Sequence, residues 1–191
     1  MTLIFEHHLK LDNIADNKLD AQAVTPLTAV FNSLAKTENA LSKAQLKQAI
    51  SKGALWLTRG KHTQRLRRFK RVMQEGDELH LYYNQTVLDS EVAEAILISD
   101  EVDYSVWYKP FGMLSQGSKW SDHCTITRFA QQYFPSERAV FPVHRLDKAA
   151  TGLILIAHSK KSVQALTSMF ENRTTNNNSL KKYYQIIVHG D

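Results

Sequence analysis

This chain of 191 residues lacks most of what a secreted or membrane-spanning protein needs. Its single cysteine, Cys124, cannot form an internal disulfide and fits a reducing compartment. No apolar run approaches the roughly 18 residues that span a bilayer. The first residues, MTLIFEHHLKLDNIAD, break their apolar positions with Glu6, His7, His8, Lys10 and Asp12, so the basic-then-apolar layout of a secretory signal is missing as well. With 43% hydrophobic and 23% charged residues the composition is globular, and together these absences predict a cytoplasmic protein. No internal repeat or low-complexity tract is present, although NRTTNNNS has the polar character of an exposed loop.

Acidic residues are missing from one long stretch. Between Ser42 and Arg71 there is no Asp or Glu, against ten cations: Lys43, Lys47, Lys52, Arg59, Lys61, Arg65, Arg67, Arg68, Lys70 and Arg71. From Val72 to Gly112 the balance inverts, and Lys109 is the lone cation. Thirty residues of one sign create a field that attracts a polyanion, whereas a merely solvated face mixes signs.

The local patterns in the basic stretch are specific. Ser42 with Gln45 three residues on predicts a capping box, followed by a helix with Leu46, Ala49 and Ile50 on one face and Lys43 and Lys47 on another. Gly53 supplies a left-handed stop. ALWLT then alternates, with Leu55 and Leu57 on one side and Trp56 on the other, and EGDELHLYY is a turn leading into a second alternating strand. A short helix with an exposed lysine pair, a tight turn and a basic strand resembles the alpha-L RNA-binding module, first recognised in a small-subunit ribosomal protein. The resemblance covers residues 24–84, with Lys43 where arginine is more usual and a longer basic insertion, HTQRLRRFKR. It implies that all ten cations serve RNA binding. Residues 1–23 read as an N-terminal extension, and the polar residues 85–94 as a linker.

The second half, 95–191, predicts two short strands, Ala95 to Ile98 and Tyr104 to Tyr108, around an acidic turn. Lys109-Pro110-Phe111-Gly112 punctuates the chain, and TITRFAQQYF places Ile126, Phe129, Ala130 and Tyr133 on one helical face. TGLILIAH reads as a buried strand, which sets Asp147 in a loop just ahead of it. From the residues alone, Arg145 and Asp147 could be an ordinary surface ion pair at a turn. His7 and His8 read as surface residues, and Trp56 and Trp107 as packing residues.

The order of KPFGM, then HRLD ending at Asp147, then GLILIA, then KYYQIIVHG is similar to the RluA-type pseudouridine synthases, in which an alpha-L module in front is a known arrangement. The matching positions are His144, Arg145, Leu146, Asp147, Thr151, Gly152 and Leu153, then Lys182, Tyr184, Val188 and Gly190; Ala149 and Ala150 depart from the usual Asp and Thr. The resemblance implies an isomerase that turns a uridine in RNA into its carbon-linked isomer without any cofactor. Asp147 is then the catalytic carboxylate, Tyr184 lies against the target base, and Arg145 keeps Asp147 ionised or contacts the RNA. His144, Leu146, Thr151, Gly152 and Lys182 support the motif. The partner is a structured RNA, a stem-loop of ribosomal or transfer RNA, because a base must leave its stack to be modified.

The implied fold class is α+β: a small alpha-L RNA-binding domain, then a mixed or antiparallel sheet with helices at its edges and the Asp147 loop opening onto a cleft. A catalytic domain of this family runs on past the Lys-x-Tyr motif, so the chain reads as truncated within it, and as a monomer. The alternatives are a non-catalytic RNA-binding protein or an inactive fragment of such a synthase. Asp122-His123-Cys124 makes a poor metal site, because adjacent residues rarely ligate one ion together, and no metal or membrane partner is expected. A glycoside hydrolase needs a second carboxylate facing the first, which the segments around Asp147 and Tyr184 do not contain.

Overall fold

A computed structural model describes residues 2–12, 24–171 and 181–190. The NRTTNNNS segment and residues 13–23 of the presumed N-terminal extension lie outside the described residues. Two four-stranded antiparallel sheets follow one another along the chain.

The first sheet has the order β1-β4-β2-β3, from β1 (Ile4–Lys10), β2 (Leu55–Arg59), β3 (His62–Arg65) and β4 (Glu78–Asn84). The strand β1 falls within the segment that reads as an extension, yet it pairs with β4 from Ile4↔Asn84 to Lys10↔Glu78. Its alternation explains this: Phe5, His7 and Leu9 turn inward while Glu6, His8 and Lys10 stay exposed. His7 is therefore not a free surface residue; its Nε2 lies 2.9 Å from the Ser33 hydroxyl.

Helices α1 (Pro26–Leu34) and α2 (Lys43–Ser51) cover the inner face of this sheet. The Ser42–Gln45 capping box forms, and Leu46, Ala49 and Ile50 are buried against Leu55, Leu57, Leu79 and Leu81. Gly53 has φ +90°, a conformation L side chains rarely adopt, and a Cβ there would collide with Asp122. A single turn, α3 (Gln85–Leu88), occupies the start of the presumed linker.

The second sheet, β5-β6-β8-β7, comprises β5 (Ile96–Asp100), β6 (Tyr104–Lys109), β7 (Phe141–Pro142) and β8 (Gly152–Ala157). Helix α4 (Ile126–Tyr133) packs on one face, with Trp107 fully buried and edge-on to Phe129, Tyr133 and Phe134. β8 is buried on one side only: Ile154 and Ile156 enter the core, whereas Leu153 is 58% exposed. Helix α5 (Lys160–Glu171) follows β8. No helix among the described residues is long and apolar enough to cross a membrane.

Candidate active site and nucleic-acid interface

The register of the second sheet creates the site. Lys109, the last residue of β6, pairs with Gly152, the first of β8, so the loops leaving both strands emerge at the same end. They lock together there: the Gly112 amide donates to the Lys148 carbonyl at 2.9 Å, in a turn that holds Gly112 at φ +82°. The buried Ser115 hydroxyl donates to the Leu146 carbonyl at 2.6 Å and accepts from the Leu146 amide at 2.9 Å. Leu146 is buried, and Asp147 beside it is exposed, with its carbonyl accepting from the Ala150 amide at 3.1 Å. The result is an exposed carboxylate on a loop whose backbone is fixed on both sides. A cavity of about 250 Å³ reaches this loop through Gly112 and Lys148, but Asp147 is not in its wall.

Ser115→Ala should therefore leave the Leu146 main chain without its partner, at a cost of about 1–3 kcal/mol. Denaturant unfolding checks this; a loss below about 0.5 kcal/mol would show that the hydroxyl does not hold the loop.

Among the described residues Asp147 makes no ion pair, and its charge is felt at Lys109, whose ammonium is buried. Arg145 and Asp147 flank the buried Leu146 as exposed residues and do not form an ion pair with one another. Lys109 is completely buried, and its Nζ donates to the carbonyls of Met113 at 2.7 Å and Pro110 at 3.2 Å. Burial lowers its pKa, while the charge of Asp147 acts in the opposite direction. Its position as the lone cation between Val72 and Gly112 was the available sequence signal.

The remaining motif residues divide into two groups. The Leu155 amide donates to His144 Nε2 at 3.2 Å, and the His144 ring stacks on Phe170 of α5 with centroids 4.5 Å apart. Lys182 sits over the same Phe170 ring at 4.4 Å, so Phe170 connects the two motif residues. Thr151 is exposed, and Gly152 begins β8. Tyr184 is 66% exposed in residues 181–190, which form no helix or strand, and no contact joins it to Asp147.

Burial also lowers the pKa of the His7, His80, His123, His144 and His158 imidazoles. Below the ordinary histidine value the unfolded chain then binds more protons than the folded one, so stability is full above about pH 6.5 and falls as the pH drops through the lowered values. The melting temperature at pH 5.5 should lie several degrees below that at pH 7.5. An unchanged or higher value at pH 5.5 would contradict this.

The ten cations of the basic stretch are not equivalent. Arg59 grips the buried Asp77 carboxylate through Nε and Nη2, both at 2.7 Å. Arg65 and Arg67 are drawn to Asp122 from the second half of the chain, Arg65 at 3.5 Å, and Arg65 also lies over the Trp56 ring at 4.3 Å. The Lys52 ammonium donates to the Leu88 carbonyl at 2.5 Å. Lys43 and Lys47 stand over the Phe31 and Phe69 rings on the exposed side of α2. Lys61, Arg68, Lys70 and Arg71 make no ion pair among the described residues. Further contacts join the halves: Trp56 Nε1 donates to the Lys119 carbonyl at 3.0 Å, Lys119 pairs with Glu6 at 2.6 Å, and Ser121 donates to the Lys52 carbonyl at 2.8 Å. Asp122 was considered in the sequence only as a metal ligand. Among the described residues no group of three His, Cys, Asp or Glu could hold an ion.

The site geometry is thus an exposed carboxylate on a clamped loop at the end of an antiparallel sheet. Residues 103–191 match the model of the RNA pseudouridylate synthase family. Over 84 residues the chain is 36% identical to tRNA pseudouridine synthase C of Pasteurella multocida, covering 43% of this chain and 32% of that protein. It is also 28% identical over 93 residues to an uncharacterised RNA pseudouridine synthase of Mycoplasma genitalium, covering 49% of this chain and 28% of the relative. The chain thus matches about a third of the length of these curated relatives.

Proposed function

We propose that the protein isomerises a specific uridine in structured RNA, ribosomal or transfer, to pseudouridine, with Asp147 as the catalytic carboxylate. The observation that carries this reading is the geometry of Asp147, exposed and flanked by main chain fixed to Ser115 and Gly112. The reaction breaks the bond between N1 and the ribose C1′, rotates the base, joins C5 to C1′, moves the C5 proton to solvent and protonates N1. It is redox-neutral, and a positioned carboxylate can act on sugar or base during cleavage. The target must leave its stack to reach an exposed loop of this kind. Tyr184 is proposed to meet the base and Arg145 the RNA.

The first half is proposed to be an alpha-L RNA-binding module that holds backbone phosphate, and the helix, turn and strand order of 24–84 supports this. The test is release of tritium from RNA labelled at C5 of uridine. Release with formation of pseudouridine is expected; retention of the RNA without release would instead support the non-catalytic RNA-binding reading.

A further inference from the structure

The strongest concentration of charge lies away from Asp147. Gln64 to Arg71 and Arg128 line a cleft of about 980 Å³, with Arg65, Arg67, Arg68, Lys70 and Arg71 on one side and Arg128 on the other. Arg128 belongs to α4, in the half that carries the synthase signature, so the two sides come from different parts of the chain. Among the described residues one carboxylate, Asp122, pairs with this group: its Oδ2 is engaged by Arg65 and Arg67, while its Oδ1 is buried without a hydrogen-bond partner.

Donors remain unused. The Arg67 Nε is buried without an acceptor, and the Arg128 guanidinium, partly buried, makes no hydrogen bond or ion pair among the described residues. Burial disfavours the Arg128 charge, and the nearby Arg67 acts in the same direction while Asp122 opposes them. An arrangement of like charges with idle planar donors is what a bidentate oxyanion compensates.

We propose that this cleft binds a backbone phosphate of the RNA, gripped by Arg67 and Arg68 from the basic half and by Arg128 from the synthase half. The inference rests on the RNA-directed reading above and adds a contact point to it. Because the phosphate bridges both halves, it fixes the RNA's position relative to the Asp147 loop, and because it touches no base edge it carries no sequence preference. Asp122 holds Arg65 and Arg67 in place for the incoming anion.

The test measures affinity for a synthetic stem-loop RNA with uridine in its loop, across a range of salt concentrations, for the parent, Arg128→Gln, Arg128→Lys and Arg138→Gln. Arg138 lies outside the cleft, bound to Asp100, and controls for loss of net charge. Arg128→Gln should weaken binding roughly tenfold and lower the salt slope by about 1, with Arg128→Lys intermediate in affinity and near the parent in slope. Arg138→Gln should match the parent. Thermal melts identify any variant that is unfolded, and Arg128→Lys then carries the comparison. A slope unchanged in Arg128→Gln while the parent binds RNA overturns the inference alone, as does an equal loss in Arg138→Gln. A parent that binds no RNA overturns the proposed function as well.

Discussion

Asp147→Asn is expected to abolish pseudouridine formation, by a factor on the order of 10⁴, while the protein stays folded and bound to RNA. Asn keeps the size of Asp and can still accept hydrogen bonds. The contact that shapes the loop at this position is the Asp147 carbonyl accepting from Ala150, a main-chain bond the substitution does not touch. No ion pair of Asp147 is lost, because its side chain makes none among the described residues. Stability should therefore change by no more than about 0.5 kcal/mol, the range of an exposed substitution away from special features. Loss of turnover with unchanged melting and RNA affinity assigns chemistry to the carboxylate. Turnover near the parent rate in the folded variant would mean that Asp147 is only a turn residue.

Lys109→Met should reduce turnover about 100-fold, the loss typical when one fixed electrostatic partner is taken from a site. Met keeps the unbranched stem that fills the buried space. It removes the ammonium, so the Pro110 and Met113 carbonyls lose their donor and Asp147 loses the cation acting on it. The orphaned carbonyls add a destabilisation of about 1–3 kcal/mol. Tritium release is therefore measured well below the melting temperature, where the variant is folded. A rate within threefold of the parent would limit Lys109 to holding the turn.

The parts that were legible in the sequence are those set by neighbouring residues. The Ser42–Gln45 capping box, the Gly53 stop and the alternation of Leu55, Trp56 and Leu57 follow from bonds and sterics spanning a few positions, and each forms where the pattern places it. The order of KPFGM, HRLD and GLILIA pointed to the family that residues 103–191 match. β1 was overlooked because its partner, β4, lies some seventy positions away, and a lone alternating segment does not announce a sheet. The charge count is refined by the structure. The stretch holds ten cations and no acid, and Asp77 and Asp122, from outside it, pair with three of them.

By itself, then, the sequence determined the local elements and the basic character of the first half, and through the family resemblance it singled out Asp147 as the candidate carboxylate. Only the tertiary structure decided which charged groups lie within reach of one another. Arg145, two positions away, does not pair with Asp147, whereas the Asp147 charge is felt at Lys109, thirty-eight positions earlier, because β6 ends where β8 begins. The same holds for Arg128 against Arg67 and for Ser115 against Leu146. Electrostatic and hydrogen-bond energies depend on distance in space, and that distance is set by strand register and loop packing rather than by position along the chain.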